Sequence, residues 1–363
     1  MSLKQFNLKQ ELVEYLESKR FQDFTEVQRI TIPAIIKNQQ MLVESPTGTG
    51  KTLAFLLPLI QLIDENKGTQ GVIFVPTREL GTQIHGIAKE IQKFYDFSLQ
   101  LAIGGVDLNR QQTKFDKKPN IIVTTPERFN KLRAKTSNPL DNINRIILDE
   151  ADMHVSFGSI HDIQDFMNTR QDLRVSMFSA TLPLPLQNFI KKTVKGHVKN
   201  IVIASKVKET HFLVKADNDD RFKALKKIMT SSTFNPFFAI IFCKSNEEVI
   251  ELYRKLREDG LKDVSKFTSE MSQRERNRVL KSINNMDIVY LVTTDLISRG
   301  MDFPAVSHVI NYNFPSDMNY YKHRTGRTNR NDIEGKVFLI ASSADGKKLE
   351  QVRRKYDLVK PKL

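Results

Sequence analysis

Short apolar runs alternate with longer segments of mixed polar and apolar residues along most of the chain. The runs are rich in β-branched and aliphatic residues, and they do not alternate strictly between polar and apolar positions. Strands that are covered by helices on both faces of a parallel sheet have this pattern. The predicted strands of the first half are 41–44, 71–76, 99–103, 121–125, 145–150, 175–179 and 201–203.

The same pattern restarts after a polar, lysine-bearing segment. The predicted strands of the second half are 212–214, 239–243, 266–268, 288–293, 309–312 and 337–341. We therefore predict an α/β protein of two tandem domains, each a mostly parallel sheet covered by helices on both faces. The expected boundaries are 1–203 for the first domain, 204–210 for a linker and 211–363 for the second domain.

The start of the chain is predicted to be a short amphipathic helix. Leu8, Leu12, Tyr15 and Leu16 recur at helical spacing, and Asn7 is placed to cap the helix N-terminus.

The charge of the chain is strongly positive, at +14, from 56 basic and 42 acidic residues. Residues 1–203 carry +5 and residues 204–363 carry +9. This excess fits either a polyanionic partner or a solvated basic surface, and the total alone does not decide between them. The single cysteine, Cys243, excludes an internal disulfide and a zinc site built from thiolates. No apolar stretch is long enough for a membrane span, so we expect a cytoplasmic protein without a membrane contact.

A glycine-rich loop follows the first predicted strand and precedes an apolar helical segment. It reads Ser45-Pro46-Thr47-Gly48-Thr49-Gly50-Lys51-Thr52, with Ser45 where the strict pattern has glycine. Such a loop holds phosphates through its backbone N–H groups and through the helix N-terminus. Lys51 would neutralise phosphate charge, and the Thr52 hydroxyl would bind Mg²⁺.

A phosphate loop needs an acidic partner at the end of a neighbouring strand. The predicted strand 145–150 supplies Asp149 and Glu150. Taken alone, this acidic pair fits a solvated strand end. Together with the loop, it predicts Asp149 as the second magnesium ligand and Glu150 as the general base that activates the attacking water.

The second half contains no phosphate loop, but Arg324, Arg327 and Arg330 lie three residues apart. On one helix they would share a face. This cluster fits either a solvated basic surface or guanidinium groups that contact a nucleotide held by the other domain.

The string Asp149-Glu150-Ala151-Asp152 resembles the signature of the DEAD-box RNA helicases, and the resemblance extends over nearly the whole chain. Phe21, Thr25 and Gln28 resemble the family's Q motif, which implies that they bind the adenine of ATP. The loop from Ser45 to Thr52 is similar to motif I. The family's fold, two RecA-like domains in tandem, agrees with the strand pattern.

Further motifs follow in the family's order. The resemblance implies RNA contacts in the first domain for Pro76, Thr77, Arg78, Gly104, Gly105, Thr125, Pro126 and Arg128. In the second domain it implies RNA contacts for Gln273, Arg276, Thr294, Arg299 and Gly300.

The remaining motifs link the nucleotide to domain closure. The resemblance implies a coupling role for Ser179, Thr181, His323 and Arg324. It also implies that Asp302 contacts the ribose and that Arg327 and Arg330 are arginine fingers.

Several positions depart from the family pattern. Phe24 stands in place of a proline, Arg20 in place of a glycine, and Phe6 lies closer to the Q motif than usual. Glu127 replaces a glycine near the expected RNA path, and Thr268-Ser269 replaces His-Gly.

The resemblance implies an ATP-dependent RNA helicase that uses Mg²⁺ and opens RNA locally by closing its two domains. We expect a monomer with RNA and ribonucleoprotein partners, employed in ribosome assembly or mRNA turnover. The alternatives are an ATP-gated clamp on RNA and a DNA translocase. A basic run from Lys347 to Lys362 fits either a solvated helix face or an accessory RNA anchor.

Overall fold

The computed structural model describes residues 6–46, 48–137, 140–170, 172–204, 209–232, 234–295, 306–315, 318–328 and 334–362. The chain divides into two units, Met1–Ala204 and Ser205–Leu363. Five sequence predictions concern residues outside the described ranges, namely Thr47, Arg299, Gly300, Asp302 and Arg330, as does most of the predicted linker. The predicted domain boundaries and the roles of the two domains stay predictions.

The described part of the first unit forms a parallel sheet in the order β3-β4-β2-β5-β6-β1-β7. Its strands are β1 (Gln40–Glu44), β2 (Gly71–Phe74), β3 (Leu99–Ala102), β4 (Ile121–Thr124), β5 (Arg145–Leu148), β6 (Arg174–Ser179) and β7 (Val198–Val202). Its helices are α1 (Gln10–Ser18), α2 (Glu26–Ile36), α3 (Lys51–Gln61), α4 (Arg78–Ile91), α5 (Leu108–Phe115), α6 (Pro126–Arg133), α7 (Ala151–Ser156), α8 (Ile160–Asn168) and α9 (Leu184–Thr193).

The described part of the second unit forms another parallel sheet, in the order β10-β11-β9-β12-β13-β8-β14. Its strands are β8 (Glu209–Lys215), β9 (Ala239–Cys243), β10 (Val264–Phe267), β11 (Tyr290–Thr294), β12 (His308–Asn311), β13 (Gly335–Ala341) and β14 (Leu358–Val359). Its helices are α10 (Arg221–Thr230), α11 (Asn246–Glu258), α12 (Gln273–Asn284), α13 (Asn319–Thr325) and α14 (Gly346–Arg353).

The central strands are buried along their whole length, as the unbroken apolar runs predicted. Every residue of β2, β4 and β9 is buried. In each unit, two apolar clusters lie against the sheet, which is the arrangement of helices on both faces. The predicted fold class is confirmed.

Two local predictions at the chain ends are wrong. Asn7 does not cap α1, because the residue before the helix is Lys9 and Asn7 has a φ of 52°. The basic run from Lys347 to Lys362 is not one helix, since α14 ends at Arg353 and the chain continues into β14. Within the described residues, no helix combines the length and apolar character that crossing a membrane requires.

The topology brings the candidate motifs of the first unit to one edge of its sheet. The phosphate loop, Pro76, Thr125, Asp149 and Ala180 each lie at or just beyond the carboxyl end of a strand. Since these strands are all parallel, their carboxyl ends meet at the same edge. This edge is where open α/β sheets bind ligands.

Candidate nucleotide and RNA site

The phosphate loop is a tight turn between β1 and α3. The Ser45 N–H donates to the Ser179 carbonyl at 2.9 Å, which continues the pairing of β1 with β6. The Thr49 hydroxyl donates to the Pro46 carbonyl at 3.0 Å. Gly48 and Gly50 have φ values of 78° and 87°, a region that glycine adopts without strain. Ser45 is buried, so the loop accommodates serine at the position of the usual glycine.

Lys51 begins α3 and turns its ammonium group back into the loop. The Lys51 Nζ donates to the Ser45 carbonyl at 3.1 Å, and the residue is buried. Thr52 follows in the first helical turn and is half-buried. A buried ammonium beside a helix N-terminus attracts anions, so this loop has the geometry of a phosphate site.

Gln28 connects the Q-like segment to the phosphate loop. Thr25 and Gln28 form a reciprocal capping box at the start of α2. The Gln28 Nε2 also donates to the Gly50 carbonyl at 3.0 Å. A Cβ atom at Gly50 would lie 2.5 Å from the same nitrogen, so only glycine allows this approach. The structure therefore brings two sequence-predicted nucleotide segments together.

The departures of the Q-like segment have structural consequences. Phe24, in place of proline, is buried with its ring 4.4 Å from that of Phe6 and 5.3 Å from that of Phe21. The Phe6 ring thus belongs to the core, while Phe21 is only half-buried. Arg20, in place of glycine, has a φ of 53° and lies in the turn that ends α1.

The acidic turn after β5 is buried. Asp149 and Glu150 follow Leu148, and Glu150 has a left-handed backbone with φ 51°. The Glu150 N–H donates to Asp149 Oδ1 at 3.0 Å. Burial raises the pKa of Asp149 to about 7, the Glu150 carboxylate adds to the increase, and Lys51 opposes it. Two buried carboxylates close to a lysine form an environment in which added positive charge is favourable.

The last aspartate of the acidic turn binds the segment after β6. Thr181 donates to Asp152 Oδ2 from its backbone N–H at 3.0 Å and from its hydroxyl at 2.5 Å. The Ser179 hydroxyl accepts from the Asp152 N–H at 3.2 Å and donates to the Thr181 carbonyl at 2.6 Å. Sequence reasoning assigned no role to Asp152, although its place inside the acidic string was a usable signal.

His154 lies in α7, just after the acidic turn, and is fully buried. Its Nδ1 is 3.0 Å from the Ser159 hydroxyl and its Nε2 is 3.4 Å from the Phe74 carbonyl. Burial lowers the pKa of His154 to about 4, so the imidazole is neutral at pH 7. A neutral ring here links the end of β2 to α7.

Three of the predicted RNA contacts of the first unit form one surface. The Arg78 guanidinium lies against Gly104 and Gly105, where added Cβ atoms would each come within 2.7 Å of its nitrogens. Thr77 caps α4, since its hydroxyl accepts from the Leu80 N–H at 3.3 Å. The two glycines thus leave the space that the guanidinium occupies.

The neighbouring segment begins α6. Thr125 precedes the helix, Pro126 is its first residue, and Arg128 is half-buried. Glu127 is exposed and forms an ion pair with Lys131 at 2.5 Å. That ion pair lowers the pKa of Glu127, so its negative charge persists near this surface but is paired within the helix.

In the second unit, α12 and β11 carry the described RNA candidates. Gln273 is the first residue of α12, and Thr294 ends β11 and is buried. The Arg276 guanidinium donates to the Ser269 carbonyl at 2.8 Å. The Ser269 hydroxyl also accepts from Asn246 at 2.6 Å, so the unusual Thr268-Ser269 pair connects α11 to α12.

The two described arginines of the cluster, Arg324 and Arg327, do not form one helical face. Helix α13 ends at Thr325, before Arg327, so these two arginines do not lie on one helix, which was the condition for a shared face. Arg324 is buried and binds Asp295 with Nε at 2.5 Å from Oδ1 and Nη2 at 2.7 Å from Oδ2. His323 and Arg327 are also buried. Arg324 is therefore anchored within the second unit.

Cys243 lies in β9 and is buried, and burial raises the pKa of its thiol. It is a packing residue.

Comparison with known families gives two matches. Residues 25–189 match the model described as DEAD/DEAH box helicase, and residues 220–332 match the helicase conserved C-terminal domain.

Two curated proteins cover most of the chain. The DEAD-box ATP-dependent RNA helicase CshB of Listeria monocytogenes is 36% identical over 92% of this chain and 78% of its own length. A probable ATP-dependent RNA helicase of Methanocaldococcus jannaschii is 32% identical over 100% of this chain and 98% of its own length.

Two solved structures are similar to this chain over nearly its whole length. Dbp5 of S. cerevisiae bound to RNA and ADP BeF3 has a TM-score of 0.85 at 25% identity, over 99% of this chain and 95% of that one. Mss116p bound to ssRNA and AMP-PNP also has a TM-score of 0.85 at 25% identity, over 99% of this chain and 79% of that one.

Proposed function

Because this chain belongs to the DEAD-box family of ATP-dependent RNA helicases, we propose that it opens short stretches of base-paired RNA through ATP-driven closure of its two units. The family is one of RNA-dependent ATPases with two RecA-like domains, and this chain shares that fold. The observation that carries the proposal is the phosphate loop, in which Ser45 and Lys51 are buried, with Gln28 bound to Gly50 and Lys51 close to the Asp149 carboxylate.

The loop and the Q-like segment are the proposed nucleotide site. Gln28, Thr25 and Phe21 would hold the adenine, and the backbone of the loop would hold the phosphates. Lys51 would exchange its bond to the Ser45 carbonyl for a phosphate oxygen. The remaining proposed nucleotide contacts are Pro46, Thr47, Gly48, Thr49, Gly50, Thr52, Asp302, Arg327 and Arg330.

The residues at this edge fit Mg²⁺. Asp149 is a buried carboxylate next to the buried carboxylate of Glu150, an environment that raises its pKa, and a divalent cation would stabilise its charged form. Thr52 and Asp149 would hold the ion through oxygen atoms, which Mg²⁺ prefers. When bound, the ion would neutralise charge on the phosphate oxygens.

The chain's own residues would then carry the reaction. Glu150 would orient the attacking water and accept its proton. Lys51 would stabilise negative charge on the phosphates. Arg327 and Arg330 would add positive charge once the units close, an effect worth about 10³–10⁵ in rate in comparable enzymes.

The RNA surface would combine contacts from both units. In the first unit these are Pro76, Thr77, Arg78, Gly104, Gly105, Thr125, Pro126 and Arg128, and in the second they are Gln273, Arg276, Thr294, Arg299 and Gly300. Ser179, Thr181, His323 and Arg324 would couple nucleotide state to closure. Thr181 supports this assignment because it binds the acidic turn directly. We further propose a cytoplasmic monomer with ribonucleoprotein partners, employed in ribosome assembly or mRNA turnover.

Single-turnover strand separation tests the proposed activity. The chain should separate a short RNA duplex in the presence of ATP, and Glu150→Gln should lower ATP turnover by about 10²–10⁴ because the general base is lost. RNA binding with an ATP analogue should persist in this variant, and Glu65→Gln, an exposed change in the same unit, should behave as the parent.

Two outcomes would favour other functions. Tighter RNA binding with the analogue but no strand separation would indicate an ATP-gated clamp. Equal stimulation of the ATPase by single-stranded DNA would indicate a DNA translocase. Turnover near the parent value in Glu150→Gln would refute the role of Glu150.

A further inference from the structure

The second unit contains a cavity of about 530 Å³ between α13, α14 and the segment that leads into β14. Two tyrosines, Tyr321 and Tyr356, line it together with Lys322, Arg354 and Lys355. Arg354 and Lys355 belong to the basic run Lys347–Lys362, and none of the five residues belongs to the candidate nucleotide site or to the RNA contacts that the family resemblance implies. Aromatic rings next to cationic side chains are the combination with which proteins hold single-stranded nucleic acid.

The two tyrosine side chains of the cavity are fixed by contacts with His211 of β8 and with each other. The Tyr356 ring packs on the His211 ring at 4.2 Å between centroids, and Tyr321 contacts Tyr356 edge-on at 5.6 Å. A hydrogen bond of 2.7 Å joins His211 Nδ1 to the Tyr321 hydroxyl, and Glu209 lies 3.2 Å from His211 Nε2. Tyr356 itself is only half-buried. The rings are therefore ordered before a ligand arrives.

Two cationic residues of the cavity, Arg354 and Lys355, follow directly after the end of α14. Arg353 is paired with Glu350 at 2.9 Å. Within the described residues, neither Arg354 nor Lys355 forms an ion pair, and both are exposed at the cavity. Two exposed cations beside an ordered ring favour a ligand with both a phosphate and a flat base.

The position of the cavity separates it from the other RNA candidates of this unit. Arg276 and Thr294 belong to the β10–β11 edge of the sheet, whereas His211 lies in β8 near the opposite edge. Four strand spacings separate β11 from β8, which is about 19 Å at about 4.8 Å each. An RNA strand that contacts both the β10–β11 edge and the cavity must therefore be longer than one that contacts the β10–β11 edge alone.

We propose that this cavity is a second RNA-binding site that takes one nucleotide of a single strand. The base lies against the Tyr356 ring, and the adjoining phosphates contact Arg354 and Lys355. The site holds the part of an RNA that extends beyond the helicase surface. The proposal rests on RNA as the ligand of the helicase core.

The test measures equilibrium binding of labelled oligouridylates to the full-length chain at several salt concentrations. One probe has about six nucleotides and the other about twenty. The double variant Arg354→Gln, Lys355→Gln should reduce the salt slope for the long probe by about 1.4, since each lost phosphate contact accounts for about 0.7. The slope for the short probe should stay unchanged. Arg353→Gln removes one positive charge from the neighbouring position, where the arginine is paired with Glu350, and should change neither slope.

The ring is tested by a pair of substitutions at one position. Tyr356→Ala should weaken binding of the long probe about fivefold or more, because one stacked base is lost. Tyr356→Phe keeps the ring and should bind as the parent. If Tyr356→Ala fails to fold, the double variant Arg354→Gln, Lys355→Gln, which changes exposed residues, still tests whether the cavity binds RNA. Equal losses for both probe lengths, or no loss for the long probe, would overturn the proposal.

A free nucleotide could offer the same chemistry as one unit of RNA. Acetylation of Lys355, read by mass spectrometry, distinguishes the two sources. Protection by the long probe and none by AMP supports the RNA site. Protection by AMP without protection by the long probe overturns it and makes the cavity a site for small nucleotides.

Discussion

At the scale of single residues, the phosphate loop depends on a backbone conformation at Gly50 that other residues rarely adopt. Its φ is 87°, and a Cβ there would lie 2.5 Å from the Gln28 Nε2. We expect Gly50→Ala to cost about 1–2 kcal/mol in the loop. Binding of ATP should weaken about 5- to 30-fold as a result. Titration with ATP measures this change.

Gly86 offers a matched control for that substitution. It lies within α4, is exposed, and an added Cβ there would have no neighbour within 4 Å. Gly86→Ala should leave ATP binding unchanged and raise the free energy of unfolding by about 0.5–1 kcal/mol, because alanine favours a helix. If Gly50→Ala binds ATP like the parent, the steric argument for the loop is wrong.

The contact between Thr181 and Asp152 makes a second prediction at this scale. The Thr181 hydroxyl donates to a buried carboxylate at 2.5 Å. Thr181→Val keeps the shape of the side chain but removes the donor, so it should lower the free energy of unfolding of the first unit by about 1.5–3 kcal/mol. Chemical denaturation measures the loss. Thr181→Ser keeps a hydroxyl, so it should recover most of the lost free energy of unfolding. If Thr181→Ser is as unstable as Thr181→Val, the loss comes from side-chain packing and not from the hydrogen bond.

At the scale of elements, the end of α1 contains a residue in an unfavourable conformation. The Arg20 N–H donates to the Glu17 carbonyl and the Phe21 N–H to the Leu16 carbonyl, a Schellman motif. Its left-handed position is occupied by Arg20, with φ 53°. Glycine is favoured there, so Arg20→Gly should stabilise the first unit by up to about 1 kcal/mol, measured by thermal unfolding.

The end of α2 is the control for this prediction. Asn38 occupies the corresponding position with φ 58°, and its N–H donates to the Ile35 carbonyl. Asparagine tolerates the left-handed region better than arginine does, so Asn38→Gly should gain less. An equal gain at both positions would show that conformational strain is not the cause.

The elements also show what the sequence could predict. The run 239–243 corresponds to β9 at both ends, and 145–150 overlaps β5, because buried parallel strands are unbroken apolar runs. The strand β14 was missed, since two residues give no periodicity. The cap at Asn7 was misassigned because the chain turns before α1 begins, and local spacing does not reveal a turn.

The candidate site was predictable in its residue types but not in its contacts. A glycine-rich loop and an acidic strand end have local signatures, and both lie at the carboxyl edge of the sheet. The bond from Gln28 to Gly50 joins residues 22 positions apart, and the bond from Thr181 to Asp152 joins residues 29 apart. Such contacts depend on how distant elements pack, which no local pattern contains. For the same reason the pairing of Arg324 with Asp295 was not anticipated.

At the scale of the whole molecule, only the first unit carries a phosphate loop among the described residues, while the second carries the larger positive charge. If ATP and RNA both favour the closed arrangement proposed above, each must raise the affinity for the other by the same factor, since linkage is reciprocal. Couplings of this kind commonly amount to about 5- to 150-fold. Binding titrations of RNA with and without an ATP analogue, and of the analogue with and without RNA, should therefore give one common factor.

Lys51→Ala separates this coupling from RNA binding itself. Without its ammonium group the loop should bind the analogue poorly, so the nucleotide-dependent gain in RNA affinity should be lost at analogue concentrations that saturate the parent. RNA affinity without nucleotide should stay at the parent value, because Lys51 is buried in the loop and contacts the Ser45 carbonyl rather than the proposed RNA surface. A parent chain that binds RNA equally well with and without the analogue would exclude both the helicase and the clamp, since each requires the nucleotide to change the affinity for RNA.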